Sequence, residues 1–173
     1  MKDILARASR IRLLIFDVDG VLTDGSLFLG DDGQEYKAFH SRDGHGIKML
    51  RAGGVEIAVI TGRTSDVVRH RMDNLGVRHV YQGQEDKLGA LNDLLDRLQV
   101  EAEDAAYVGD DVVDLPVMRR VGLAIAVQDA HPLVKRHAHW QTPHDGGRGA
   151  ARDVCELILE AQGKLDTELG KYL

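Results

Sequence analysis

Short, unbroken apolar runs alternate with amphipathic stretches along most of the chain. Residues 11–16 (IRLLIF), 55–60 (VEIAVI), 104–108 (DAAYV) and 123–127 (LAIAV) have the near-continuous apolar character of parallel strands covered on both faces. Segments 78–81 and 138–141 predict two briefer strands. Between them, helices are predicted over 2–8, 45–52, 65–75, 86–98, 114–120, 132–137 and 150–161. In the 86–98 segment Leu88, Leu91, Leu94, Leu95 and Leu98 form one apolar stripe. Stop signals agree: Gly53-Gly54 and Gly76 follow two of the helices, and Pro116 falls in the first turn of another. Residues 26–30 and 35–39 flank Asp31-Asp32-Gly33 and predict a β-hairpin. The alternation as a whole predicts an α/β, three-layer Rossmann-like fold around a central parallel sheet. No linker or repeat interrupts it, so one domain is expected over 1–173, with the hairpin at about 26–39. The tail at about 163–173 is expected to be loose or tied down by a partner.

At 173 residues such a domain buries roughly 70% of its unfolded surface and needs no staples. A single cysteine, Cys155, excludes an internal disulfide framework and a Cys-rich zinc site. The net charge of −6 argues against general nucleic-acid or anionic-membrane binding. No apolar run is long enough for a membrane span, and the first residues lack a signal pattern. A soluble, cytoplasmic protein is expected.

The candidate chemistry lies just after the predicted strands, where open α/β sheets bind ligands. The first strand delivers Asp17 and Asp19, the second Thr61, Gly62 and Arg63, and the fourth Asp110, Asp111 and Asp114; Lys87 opens the helix after the third. Two carboxylates about 4 Å apart repel by roughly 4 kcal/mol at an effective dielectric of 20. Converging acids therefore take up protons or bind a cation. Oxygen donors without His or Cys select a hard ion, and Mg²⁺ is expected. Such an ion suits a phosphate whose other oxygens a hydroxyl and an ammonium can hold. A carboxylate can attack the phosphorus and divide the hydrolysis into two steps.

In this order FDVDGVLTDG, ITGR, Lys87 in QEDK, and GDDVVDLP resemble the four motifs of the haloacid dehalogenase-like phosphatases. The resemblance implies Asp17 as nucleophile and Asp19 as general acid and base. It implies Mg²⁺ held by Asp17, the Asp19 backbone carbonyl and Asp110, with Thr61 and Lys87 on the transferred phosphoryl group. Asp111 and Asp114 would orient the ion's waters or Lys87. The gaps from Asp19 to Thr61 and from Thr61 to Lys87 hold no separate cap domain, only the hairpin and single helices. Water exclusion must then come from a neighbouring subunit or a large substrate.

FHSRDGHGIKML, ITGRTSDVVRHRMDNLGV, YQGQEDK and GGRGAARDVCELILEAQGK further resemble the capless branch that hydrolyses 3-deoxy-D-manno-octulosonate 8-phosphate in lipopolysaccharide precursor synthesis. That resemblance implies a homotetramer whose active sites border a neighbour. It also implies that Asp19, His40, Ser41, Arg42, Asp43, Gly44, Lys48, Arg63, Arg71 and Lys87 contact a small anionic sugar-acid phosphate. Local cations suit a substrate carrying both phosphate and carboxylate. Alternative readings stay open: a phosphatase for a nine-carbon keto-sugar acid phosphate, a phospho-receiver module, or a non-catalytic relative. His131, His137, His139 and His144 lack zinc-site spacing, and GGRGA lacks the surroundings of a dinucleotide fingerprint.

Overall fold

In a computed structural model describing residues 1–173, the chain runs in order through α1 (Lys2–Ala8), β1 (Leu13–Phe16), the hairpin strands β2 (Phe28–Leu29) and β3 (Glu35–Tyr36), and α2 (Ser41–Ala52). It continues through β4 (Glu56–Ile60), α3 (Asp66–Leu75), β5 (His79–Tyr81), α4 (Lys87–Leu98), β6 (Ala105–Gly109) and α5 (Leu115–Met118). The last third holds β7 (Leu123–Ala126), α6 (Pro132–His137), β8 (Trp140–Gln141), α7 (Ala150–Ala161) and α8 (Leu165–Leu169). Six strands form one parallel sheet in the order β5-β4-β1-β6-β7-β8, and β2 pairs antiparallel with β3 apart from it.

Every residue of β1, β6 and β7 is buried. That requires cover on both faces: α1, α2 and α7 pack together, as do α4, α5 and α6. β1 lies between β4 and β6, with Phe16 beside Val59 and Val108. The loops after these three strands therefore open side by side, at the edge where strand order reverses.

The predicted elements occur with shifted ends. α2 begins at Ser41, four residues before its predicted start, because its first turns carry Asp43, Gly44 and Gly46 in place of an apolar period. Gly46 is there for closeness: a Cβ would stand 2.8 Å from Arg152 Cδ on α7. The predicted 114–120 helix is a 3₁₀ turn at Val112–Asp114 followed by one turn of α5. The hairpin strands are two residues each, although the turn forms as predicted, with Gly33 at φ +80°. The tail folds on its own chain: α8 forms, Lys164 Nζ donates to the Gly53 carbonyl at 2.6 Å, and the His45 and Tyr172 rings meet edge-on. No helix is long and apolar enough to cross a membrane.

Candidate active site

The first layer of the site is a closed polar lattice at the carboxyl ends of β1 and β6. β1 hands the chain to Asp17, which is buried; its Oδ1 accepts from Val18 N at 2.6 Å and its Oδ2 from Lys87 Nζ at 2.7 Å. Lys87, the first residue of α4, is also buried and donates to Asp114 Oδ1 at 2.8 Å. Tyr107 of β6 brings its hydroxyl to the same oxygen at 2.6 Å. Asp114 Oδ2 accepts from the backbone N–H groups of Asp110 and Asp111 at 3.0 and 3.2 Å. Four donors thus meet the four acceptor sites of a fully buried carboxylate.

The acids are placed where they disfavour their own charge. Burial, then the Asp114 charge, push Asp17 up to about 6 in spite of Lys87. Burial, followed by the charges of Asp114, Asp17 and Asp111, pushes Asp110 up to about 7. Lys87 titrates above its ordinary value: burial opposes its charge, but Asp17 and Asp114 outweigh it. Carboxylate oxygens of Asp17, Asp110 and Asp114 lie within 4.8 Å of one another. With Asp114 filled by protein donors, Asp17 and Asp110 are the carboxylates left to meet a cation. Gly20 permits this spacing: at φ +85° it lies against Asp110, whose Oδ2 would be 2.1 Å from a Cβ there.

Above the lattice opens a cleft of about 370 Å³ lined by Asp17, Asp19, Thr61, Arg63, Gln84, Glu85, Lys87, Asp110, Asp111 and Val113, among others. Thr61 is fixed at the end of β4, its N–H donating to the Tyr81 carbonyl and its carbonyl accepting from Gln84 N. Seven of the predicted site residues, Asp17, Asp19, Thr61, Arg63, Lys87, Asp110 and Asp111, are brought to this one cleft, with Asp114 beneath it. The donor set fits a hard divalent ion, because all of it is oxygen and two of its carboxylates carry raised pKa values that a cation would lower.

The remaining predicted substrate contacts do not line the cleft of their own chain. His40, Asp43, Gly44 and Arg71 surround a separate small cavity with Phe39, whose ring lies 5.8 Å from the Arg71 guanidinium carbon. Ser41, Arg42 and Lys48 are exposed on α2. Asp43 is buried, and its Oδ1 accepts from Arg152 N at 3.0 Å, capping the start of α7 from α2. His40 Nδ1, Asp43 Oδ2 and Arg71 Nε are buried without a partner. The other histidines are dispersed as expected. His131 Nδ1 caps α6, His139 Nδ1 accepts from Ala124 N, and His144 pairs with Asp153. Burial pushes the Cys155 thiol far up, so it stays protonated.

Sequence reasoning missed Tyr107, hidden in an apolar run, and the hairpin pair Glu35 and Lys37. Lys37 Nζ donates to Asp19 Oδ1 at 2.5 Å and to Glu35 Oε1 at 3.1 Å; the same Glu35 oxygen accepts from Arg63 at 3.0 Å. Charges at alternate positions of a predicted strand were the available signal.

Residues 77–152 match the family signature described as haloacid dehalogenase-like hydrolase. The chain is 53% identical over 171 residues to the 3-deoxy-D-manno-octulosonate 8-phosphate phosphatase KdsC of Escherichia coli, covering 99% of this chain and 91% of that protein. This chain belongs to the 3-deoxy-D-manno-octulosonate 8-phosphate phosphatase family. Solved members of that phosphatase family superpose closely. The Yersinia pestis enzyme gives a TM-score of 0.94 at 52% identity, over 95% of this chain and 89% of that one. The Moraxella catarrhalis enzyme, solved with magnesium, phosphate and KDO, gives 0.98 at 40% identity over 100% and 99%. As a member of the family the chain is a phosphatase.

Proposed function

We propose that the protein hydrolyses 3-deoxy-D-manno-octulosonate 8-phosphate to KDO and inorganic phosphate through an aspartyl-phosphate, in lipopolysaccharide precursor synthesis. The observation that carries this reading is a buried carboxylate, Asp17, held by Lys87 at the floor of a cleft also lined by Asp19, Thr61 and Arg63. An Asp17 oxygen attacks phosphorus and the bond from phosphorus to the sugar oxygen breaks. Asp19 gives the leaving alkoxide its proton, then takes one from the water that attacks the phosphoryl-Asp17, releasing phosphate and restoring the carboxylate. Lys87 and Thr61 hold the phosphoryl oxygens through both steps. The Asp17 carboxylate, the Asp19 backbone carbonyl and Asp110 would hold Mg²⁺, which when bound neutralises charge on the phosphate.

The second half of the site we assign to a neighbouring subunit in a homotetramer. Two features support this. Ser41, Arg42 and Lys48 are exposed on α2 and stand away from the cleft of their own chain. The hairpin also presents Leu27, Phe28, Leu29 and Tyr36 to solvent, all between 48 and 66% exposed, which is costly for an isolated chain. Phosphate release from 3-deoxy-D-manno-octulosonate 8-phosphate, sialic acid 9-phosphate and an aryl phosphate, each with Mg²⁺ and with EDTA, tests the reading. Strong Mg²⁺-dependent preference for the octulosonate is expected. Equal, weak rates on all three would remove the substrate assignment.

A further inference from the structure

The hairpin reaches two residues of the cleft, Asp19 through a buried ammonium and Arg63 through a carboxylate. Along β3 and the residue after it, Glu35 and Lys37 share one face while Tyr36 between them points out and is 59% exposed. The Lys37 side chain is 1% exposed, far below what a solvated lysine shows, and it does not line the cleft. It is the only protein donor to the Asp19 carboxylate, at 2.5 Å. Glu35 Oε1 then joins Lys37 to Arg63, so that the charges alternate through Asp19, Lys37, Glu35 and Arg63. The two ends of this chain line the cleft and the two middle members come from the hairpin.

A buried, desolvated ammonium needs its carboxylates, and its geometry is correspondingly fixed. Asp19 sits on a loop with its other carboxylate oxygen unengaged by protein. Without Lys37, nothing in the chain would select one rotamer for it. The backbone of the same loop is tied separately: Val21, Leu22 and Thr23 N–H groups all donate to the Val18 carbonyl. Removing Lys37 therefore frees the Asp19 side chain and leaves the loop that carries it in place.

We propose that Lys37 is a positioning residue for Asp19, holding the carboxylate where it meets the leaving oxygen, with Glu35 fixing Lys37 and Arg63 together. The inference rests on the assignment of Asp19 as general acid. An acid matters most when the leaving group is a poor one, since positioned proton transfer contributes about 10²–10⁴-fold to such steps. The measurement is kcat/KM for the sugar 8-phosphate, an alkyl ester, against kcat/KM for 4-nitrophenyl phosphate, whose leaving group departs without a proton. Lys37→Met is expected to lower the first by about tenfold to a hundredfold and the second by less than about threefold. Lys37→Arg is expected to recover most of the loss, and Glu35→Gln to show a smaller loss of the same ester preference. The ratio of the two values is independent of the fraction of folded enzyme, and the two milder variants carry the test if Lys37→Met does not fold. Equal losses on both esters, or none, would overturn the proposal. Asp19→Asn run alongside separates the two levels. If it shows the ester-selective loss and the Lys37 variants do not, only the positioning role falls. If Asp19→Asn lacks that signature, the acid assignment falls and the proposal with it.

Discussion

Two groups of buried charge sit in this molecule and are built in opposite ways. Around Asp114 every acceptor is filled by a donor from the same chain: Lys87, Tyr107 and two backbone N–H groups. Around His40, Asp43 and Arg71, three polar atoms are buried without a hydrogen bond, and His40 Nδ1 and Asp43 Oδ2 face each other at 3.9 Å. An unmade hydrogen bond in a buried place costs about 1–3 kcal/mol. The first group is finished within one chain and fixes Asp17 through Lys87. The second group keeps its charges within the chain but leaves these atoms beyond hydrogen-bond reach of one another. One group is thus closed by hydrogen bonds and the other is not.

The comparison can be broken most severely at Asp17. Asp17→Asn keeps shape and hydrogen-bonding size but removes the attacking oxygen's charge. Turnover is expected to fall by at least about 10³-fold with fold and oligomer retained, as read by steady-state phosphate release and light scattering. Appreciable turnover would exclude the covalent route. Next comes Lys87→Met, which strips the shared ammonium from two buried carboxylates. Breaking such a pair from one side costs about 3–5 kcal/mol, so the denaturant midpoint should drop sharply along with activity. A midpoint unchanged from the parent would mean that the lattice is not closed as described.

The same lattice gives a pH signature. In the metal-free protein Asp17 titrates at about 6 and Asp110 at about 7, against 3.8 for an ordinary aspartate. Between about pH 4 and 7 the folded state holds protons that the unfolded chain has released, so stability falls as pH rises through that window. In EDTA the Tm is expected to decline from pH 5 to pH 8. Added Mg²⁺ should recover it at pH 8 and do little at pH 5. A Tm in EDTA that climbs over this range would contradict the placement of these charges.

Smaller effects sharpen the other side. Asp43→Ala removes the α7 cap supplied from α2 and should cost about 1–2 kcal/mol in chemical denaturation. Arg71→Ala deletes a side chain with one unpartnered nitrogen and is expected to shift stability by less than about 1 kcal/mol while raising KM. A stability loss at Arg71 as large as that at Lys87 would erase the distinction between the two regions.

The sequence announced the first region far better than the second. β1, β4 and β7 lie within the predicted runs and β6 overruns its own by Gly109, because strands buried on both faces leave short, continuous apolar runs. Motif acids at the ends of those strands converge because strand order forces them to. What stayed hidden depends on packing across long separations. The start of α2 was obscured because Gly46 there serves the approach of α7, and helical periodicity is weak where glycine replaces side chains. Tyr107 is indistinguishable in sequence from its apolar neighbours until its hydroxyl is found against Asp114. Lys37 and Glu35 read as ordinary surface charges on a hairpin. Only the fold of that hairpin over the cleft turns them inward.

That hairpin alternates, and its phase sets both its exposed aromatic surface and the charge that meets Asp19. Leu29 pairs with Glu35 and Phe28 with Tyr36, so one side of the ribbon carries the two aromatic rings and the other carries Glu35 with Leu29 opposite it. A slip of one residue would exchange Tyr36 with its charged neighbours. One residue inserted into the Gly30–Gly33 turn would therefore damage the outward surface and the inward charge relay in the same event. An exposed apolar surface and the hold on Asp19 are written into a single reading frame of a ribbon only a few residues long.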